Sequence, residues 1–462
     1  MTMTEIGLAR RPPAPMPRAG ALGPIGLYRA LRRNGVEAWR EEAFEEPYVA
    51  DRNQLGGFVL LNDPDLIRYV LIDNAANYPK DDLQLEKLTP AVGRGLLTAD
   101  GESWRLQRRT VAALFQPQAV AAYIAPMQVS VDAMLTRWAA HARRGETIDI
   151  AREMTALTYD IISRTVFSNE IETPPDVMGE AITTYFEALG RIDLWDVLPL
   201  PRWLPRPAFI RARPAQKIFR DEVLRLFEQR RARMVARQAV PDDLVTRLIN
   251  ARDPETGAPL SDSVIHDNLV TFIGAGHETT ANALTWTLYL LSQAPDWRAR
   301  VEAEIDAQFD PAAPEAAGEA LPVTKAVVEE AMRLYPPAAM LSREAIGPDV
   351  LAGRRIPAGT VVTISPFLLH RHRLLWRDPD AFDPERFLGA NRDSVDRFAY
   401  IPFGAGPRVC IGMGFAMIEL MIVLGHLLKA YRFDLAPGHP VAPVARITLR
   451  PKDGMKMILR RR

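Results

Sequence analysis

Cys410 is the single cysteine among 462 residues, and it stands in the stretch Phe403–Gly412, F-G-A-G-P-R-V-C-I-G. Gly404, Gly406 and Pro407 ahead of it demand a tight loop, and Met413–Lys429 behind it reads as an apolar helix interrupted only by Glu419 and His426. Where a loop enters a helix, a thiolate is favoured by the positive helix end and by nearby backbone N–H groups; Arg408 adds a fixed positive charge. A sulfur placed this way can attack a substrate or bind a metal, or it can be a small buried apolar group with no chemistry at all.

A second constellation, Ala275-Gly276-His277-Glu278-Thr279-Thr280, lies in the middle of the longest expected helix, Ser261–Gln293, which Ser261-Asp262-Ser263 would cap. A glycine inside a helix costs about 1 kcal/mol relative to alanine, so this one asks for a packing or functional cause. A threonine hydroxyl bonding back to the carbonyl four residues earlier distorts a helix and opens a groove. For Thr279 that carbonyl is Ala275, and Thr271, Phe272, Ala275 and Thr279 share one face by helical spacing. His277-Glu278 opens the zinc-protease pattern H-E-x-x-H, but position 281 is Ala281, so that reading fails. A dinucleotide loop at Gly404-Ala405-Gly406 fails too, because the third glycine of G-x-G-x-x-G is replaced by Val409.

Three further pairs stand at helical spacing or nearby. Trp104 and Arg108 fall at i,i+4 in an expected helix Gly101–Phe115, which by itself is equally a surface cation–π pair. Glu330 and Arg333 fall at i,i+3 in Val323–Tyr335; alone, such a pair is most often an exposed ion pair worth a few tenths of a kcal/mol. Pro384-Glu385-Arg386-Phe387 follows about fifty residues later.

On these motifs the chain resembles the cytochrome P450 family from about residue 24 to its end. The family's F-x-x-G-x-R-x-C-x-G is met at Phe403, Gly406, Arg408, Cys410 and Gly412, its A-G-x-E-T-T at Ala275–Thr280, its W-x-x-x-R at Trp104 and Arg108, and its E-x-x-R at Glu330 and Arg333. The resemblance implies a mainly α fold with small β-sheets, as a catalytic domain over 24–462 behind a flexible Pro-rich segment, 1–23. It implies haem b with Cys410 as thiolate axial ligand, a ligand type that pushes electron density onto iron and favours O–O cleavage. Phe403, Gly406 and Ala275 would border the haem, while Trp104, Arg108, Arg343 and Arg408 would neutralise its propionates. Glu330, Arg333 and Arg386 would form a buried network fixing the cysteine loop. Thr279 would deliver a proton to bound dioxygen, with Glu278 relaying protons through water.

The implied activity is insertion of one atom of dioxygen into a hydrophobic small molecule: a fatty acid, terpenoid, retinoid or steroid. Thr271, Phe272, Ala338, Ala339, Met340, Leu341 and Ile447 are the expected pocket walls, and the aromatic, Pro-rich Trp195–Arg206 either closes over the channel or connects two helices. Only 52 residues follow Cys410, so the electrons are expected from a separate ferredoxin and its NAD(P)H-dependent reductase. A peroxide-driven peroxygenase on the same fold ranks second, because that branch replaces the acid–alcohol pair kept here as Glu278-Thr279. A non-catalytic haem-binding sensor is the alternative from another class.

The elements that must hold these groups are mostly helical. Beyond those named, helices are expected at 25–41, 65–73, 118–143, 149–168, 174–190 and 208–238, with a strand near Phe58–Leu61. Tyr78–Asp100 reads as a long loop of the kind that forms binding walls. Leu341–Ile346, Val350–Ile356 and Val361–Ser365 alternate as in a small antiparallel sheet. Apolar residues make up 48% of the chain, ample for a core, and 57 basic residues balance 57 acidic ones, so no excess charge argues for nucleic acid. One cysteine permits no intrachain disulfide and fits a reducing compartment. The uncharged run Thr279–Pro295 is too short for a membrane span and residues 1–23 lack a signal-peptide core, so the expectation is a cytoplasmic protein without an anchor. Arg105 and Arg109 are either a solvated basic face or a docking surface for an acidic electron donor.

Overall fold

A computed structural model describes residues 11–462 apart from 16, 21, 54–55, 192–195 and 197–205. Its principal helices are α1 (Pro24–Arg33), α2 (Asp82–Val92), α3 (Gly101–Ala112), α4 (Ile124–Arg144), α5 (Ile150–Phe167), α6 (Pro175–Gly190), α7 (Pro207–Val235), α8 (Asp262–Gln293), α9 (Pro295–Gln308), α10 (Pro322–Leu334) and α11 (Met413–Ala430). The fold is mainly helical with small sheets, as expected.

The long helix α8 is the axis of the core. Ser261 caps it by accepting from the Val264 N–H at 3.4 Å, and every residue from Thr280 to Leu291 is buried. A helix apolar on all sides belongs in the interior, and α5, α10 and α11 all pack on it. Its buried threonines cost little, because Thr285 and Thr287 each donate to the carbonyl four residues back, at 2.7 Å. Trp286 stacks on Tyr335 with ring centroids 3.9 Å apart, tying the end of α10 to the axis.

Two sheets matter for the site. The larger contains β1 (Tyr48–Asn53), β2 (Gly56–Leu61), β3 (Leu341–Glu344) and β4 (Val361–Ile364) in the order β1-β2-β4-β3. β2 runs parallel to β4, with Leu60 opposite Thr363, while β3 runs antiparallel to β4, with Arg343 opposite Val362. The smaller pairs β5 (Pro443–Ala445) with β6 (Leu449–Pro451), leaving Arg446, Ile447 and Thr448 as their connection.

Several elements depart from the sequence expectation. The expected loop Tyr78–Asp100 contains α2, which Asp81 caps by accepting from the Gln84 N–H at 3.0 Å; Pro90 sits inside its last turn, where it removes one backbone donor. The first helix stops at Arg33 instead of running to Glu41, because Asn34 turns extended before Gly35. The 65–73 helix changes to a π-turn at Tyr69–Asp73, and the 118–143 helix breaks at Ala122–Tyr123. The three alternating runs do not make one sheet: Leu341–Glu344 and Val361–Ile364 join the N-terminal strands, and Asp349–Leu351 pairs separately with Arg354–Ile356. Residues 1–10 lie outside the described residues, as does nearly all of Trp195–Arg206. Within the expected 1–23 segment, Pro13 O accepts from Tyr335 Oη at 2.7 Å and Arg18 bridges Arg40.

Two stretches, Pro117–Arg144 and Met413–Ala430, are long and apolar enough by length and composition to cross a membrane, a test the Thr279–Pro295 run had not anticipated. In α11 the apolar character serves the core, since Glu419 through Leu428 are all buried.

Candidate active site

The Phe403–Gly412 loop is shaped by backbone requirements. Gly406 has φ +71°, and a Cβ there would lie 2.2 Å from the Leu71 carbonyl oxygen, so no other residue fits. The loop closes on itself: the Cys410 N–H donates to Phe403 O at 2.9 Å and the Val409 N–H to Gly406 O at 3.0 Å. The Cys410 side chain faces a cavity of about 370 Å³. Such a volume falls in the range typical of cofactor and small-molecule sites, roughly 300–1,000 Å³.

Burial pushes the Cys410 thiol above its ordinary pKa, and the Gly412 N–H and the Arg108 charge only partly offset this. The expected bias of the bare sulfur toward thiolate is therefore reversed. A cation bonded to the sulfur would restore the thiolate, because a metal deprotonates a coordinating thiol outright.

Across the cavity stands α8. Thr271, Phe272, Ala275, Gly276 and Thr279 all line it, together with Thr280 and Ala283. Thr279 Oγ1 donates to Ala275 O at 2.9 Å, yet α8 stays helical through this point. Gly276 lets α5 approach closely: a Cβ would come 2.8 Å from Ile162 Cδ1, the end of a side chain that would have to shift. Glu278 does not line the cavity. Its Oε1 accepts from Thr448 Oγ1 at 2.7 Å, and Thr448 in turn accepts from Asn282 Nδ2 at 3.2 Å. His277 is fully buried and held neutral by desolvation, with Nδ1 on Ile273 O at 2.9 Å.

A group of cations gathers at the edge of the cavity. Arg108 lines it, as does Lys80, which the sequence reading missed. Lys80 is drawn down to about 7 by burial and then by the charges of Arg343 and Arg408. Arg343 is lowered to about 10 by burial and by Arg408, and among the described residues its Nη1 donates to Ser342 O alone, at 2.7 Å. Arg408 pairs with Asp100, donates to Ala99 O at 2.7 Å, and lies 4.2 Å over the Trp104 ring. Trp104 thus stacks on Arg408, and neither Trp104 nor Arg408 lines the cavity itself. Arg109, a candidate docking cation, is committed to Asp253 at 3.0 Å and Glu255 at 3.2 Å, while Arg105 pairs with Glu102.

Behind the loop, Glu330 and Arg333 are completely buried. Arg333 Nε and Nη2 donate to the Glu330 carboxylate at 2.6 and 2.8 Å. Its remaining capacity goes to the carbonyls of His370 and Pro379, both at 2.7 Å, and Ala381 at 2.9 Å. Arg386 approaches Glu330 only to 3.7 Å and donates instead to Asp378 O at 3.0 Å. His370, also missed, completes the path to the loop: its Nε2 accepts the Ile401 N–H at 2.9 Å, and Ile401 O accepts from the Gly404 N–H at 2.9 Å.

Of the expected substrate residues, Ala338 and Leu341 line the cavity with Thr271 and Phe272. Ala339 is buried outside the lining and Met340 is 45% exposed, because β3 begins there and turns alternate side chains away. Ile447 is also outside the lining, in the β5–β6 connection. The remaining walls come from residues without a motif. Phe115 meets Phe272 edge to face at 5.4 Å, and Leu96, Leu97, Ile162, Val166 and Leu244 supply apolar surface.

An iron porphyrin fits this arrangement on its own terms. A lone sulfur opens onto the space, the facing helix presents alanine, glycine and threonine, and under-neutralised cations wait at the edge for an acidic group. Comparison with known proteins agrees. Residues 54–458 match the family model described as Cytochrome P450. The chain is 35% identical over 400 residues to cyclooctatin synthase of Streptomyces melanosporofaciens, covering 84% of this chain and 83% of that one. It is 33% identical over 391 residues to pentalenene oxygenase of Streptomyces avermitilis, covering 84% of each. It is 31% identical over 460 residues to LUTEIN DEFICIENT 5 of Arabidopsis thaliana, covering 93% of this chain and 76% of that one. Among solved structures, a cytochrome P450DA heme domain superposes with a TM-score of 0.83 at 25% identity, covering 97% of this chain and 98% of the other. The chain belongs to the cytochrome P450 family of haem-thiolate monooxygenases.

Proposed function

We propose that the protein oxygenates an apolar terpenoid, taking its electrons from a ferredoxin and that ferredoxin's NAD(P)H-dependent reductase in the cytoplasm. The observation that carries this reading is the cavity itself, with the Cys410 sulfur on one wall and the Ala275–Thr279 face of α8 opposite. When bound, haem supplies oxygen activation, and the chain supplies position, dryness and protons. Cys410 would hold the iron through its sulfur, with the Gly412 N–H steadying that sulfur and Phe403 and Ala275 lining the space the haem would take. Arg108, Arg343, Arg408 and Lys80 take the two propionates, which neutralises cations that otherwise oppose one another. Trp104 and Gly406 fix Arg408 and the loop.

Thr279 is the proton-handling group inside the cavity. Its hydroxyl hydrogen is given to Ala275 O at 2.9 Å, so rotation about one side-chain bond turns that hydrogen into the cavity. Glu278 takes up the proton from solvent on the β5–β6 side, where Thr448 orients its carboxylate. Thr271, Phe272, Phe115, Leu96 and Leu244 give an apolar wall suited to a hydrocarbon skeleton. The names of cyclooctatin synthase and pentalenene oxygenase favour a terpenoid over a fatty acid, retinoid or steroid.

Cys410→Ser tests the ligand assignment. The reduced, carbon-monoxide-treated variant should lose the long-wavelength absorption band of thiolate-bound haem, and a retained band would end the assignment. Binding-difference spectra of the unsubstituted protein with cyclic terpenes, fatty acids and steroids should give the largest spin-state change with the terpenes.

A further inference from the structure

A second concave site lies apart from the cysteine cavity and shares no lining residue with it. α1, the C-terminal end of α6 and the β5–β6 segment enclose a groove of about 1130 Å³. Seven of its lining side chains are Lys or Arg and three are acidic. Two of the acids are already used, Glu37 by Arg33 and Glu187 by Arg450. That leaves Asp453 against Arg29, Arg32, Arg191, Arg446 and Lys452, none of which has an ion pair among the described residues.

The chain as a whole carries 57 basic and 57 acidic residues, so this surplus is a local concentration. It also has an electrostatic cost. Burial lowers the Arg446 pKa and the neighbouring charges of Arg191 and Arg450 lower it further, with Glu187 and Glu37 offsetting part of this; among the described residues Arg446 Nη1 donates to the Ala445 carbonyl at 3.1 Å. Like charges gathered in a concavity create a focused positive potential that an anion relieves. Guanidinium forks match the oxygens of phosphates and carboxylates alike, two at a time, and the surplus of cations here favours the more highly charged phosphate. One side of the groove is apolar: Ile25 is 70% exposed there, beside Tyr28. An acidic electron carrier is a poor occupant, since it must sit close to the cysteine loop, and no residue of that loop reaches the groove.

We propose that this groove binds a phosphate-bearing ligand, with the phosphate held by Arg29, Arg32, Arg446 and Lys452 and an apolar portion laid against Ile25 and Tyr28. A soluble phosphorylated metabolite and a phospholipid headgroup present the same chemistry. Two arms of one experiment separate them, using the haem-loaded full chain at about 0.15 M salt, where long-range screening is strong. Calorimetric titration with inorganic pyrophosphate reads the soluble source. Flotation with phosphatidylcholine vesicles, with and without phosphatidylglycerol, reads the lipid source.

For a soluble ligand, pyrophosphate binding saturates at one site and weakens at least tenfold in Arg29→Gln/Arg32→Gln/Lys452→Gln. These three side chains are exposed, so that variant should keep its melting temperature and its carbon-monoxide spectrum. For a lipid source, only the phosphatidylglycerol vesicles retain the protein, and the same variant releases it. Arg446→Gln alone gives an independent reading of whichever arm responds, with a several-fold loss expected. Absence of binding in both arms, or binding that the triple variant leaves unchanged, overturns the proposal.

Discussion

The two walls of the cysteine cavity are built on opposite terms. Behind the Cys410 loop, every donor of Arg333 is spoken for, and Glu330 Oε1 accepts from both Arg333 and the Asp383 N–H, the latter at 2.7 Å. Nothing there can move without leaving a buried charge unpaired. On the facing wall, Thr279 donates only to its own helix, and Glu278 is held by one hydroxyl from another segment. The first arrangement fixes a ligand; the second can exchange a proton. Rigidity is therefore concentrated behind the cysteine loop, and polar freedom on the helix that faces it.

Removing Glu330 should be the largest single insult to this division. In Glu330→Ala the fully buried Arg333 loses its carboxylate, and breaking a buried pair from one side costs about 3–5 kcal/mol. That is a large share of a typical stability of about 5–15 kcal/mol, so the variant should be recovered without haem and with a collapsed urea midpoint. Arg386→Gln sharpens the point. With its guanidinium 3.7 Å from Glu330 and hydrogen-bonded elsewhere, its loss should cost about 1 kcal/mol. Equal losses in the two variants would show that Arg386 is a full member of the network.

His370 comes next. His370→Ala leaves the buried Ile401 N–H without its acceptor, at about 1–3 kcal/mol. The histidine also contributes a pH dependence of known sign. Burial, then the charges of Arg333 and Arg371, depress its pKa to about 3, so the folded protein keeps it neutral. An unfolded histidine titrates near about 6.5 and binds a proton that the folded one refuses. Its contribution to stability is complete above about 6.5 and is lost as the pH falls toward 3. Urea midpoints of the unsubstituted protein should fall more between about pH 7 and about pH 4.5 than those of His370→Gln. Parallel curves would remove His370 from the account.

What was legible in the sequence follows the same division. The cysteine loop, the Glu330–Arg333 pair and the Ala275–Thr280 segment are local patterns, in which glycine placement and helical spacing carry the chemistry within ten residues. Lys80 and Arg343 are 263 positions apart and are brought together by hydrogen bonds between their segments, from Ser342 Oγ to Asp81 and from the Glu344 N–H to Pro79 O at 3.0 Å, which no local pattern states. His370 looked like any histidine, because its role depends on a backbone N–H thirty-one residues away. The helix at Asp82–Val92 was hidden by Pro90 and mixed charges, although its Asp81 cap was visible. Parallel pairing of Leu60 with Thr363 depends on the whole helical body between them, so the alternating runs could suggest strands without their partners.

On the proton-handling wall the expected effects lie in chemistry more than stability. Thr279→Ala removes one intrahelical hydrogen bond at a cavity-facing position, so the melting temperature should change little. With no hydroxyl to deliver the proton, electrons from NAD(P)H should still be consumed but emerge mainly as hydrogen peroxide, with product per NAD(P)H falling about tenfold, the usual scale for a lost proton donor being about 10²–10⁴ in rate. Unchanged coupling would take Thr279 out of the proton path.

The smallest effect, and the most discriminating, belongs to Thr448. It touches neither the cavity nor Cys410, and its one link to the chemistry is the hydroxyl given to Glu278 at 2.7 Å. Valine has nearly the same shape, so Thr448→Val keeps the packing volume while removing that bond and the acceptor of the buried Asn282 Nδ2. Coupling should fall about two- to threefold, less than in Thr279→Ala, since a net hydrogen bond to a charged group is worth about 1.5–3 kcal/mol and solvent replaces part of it. Thr448→Ser, which keeps the hydroxyl and drops the methyl, should restore the coupling. If serine and valine behave alike, Thr448 serves only packing, and Glu278 is oriented by α8 alone.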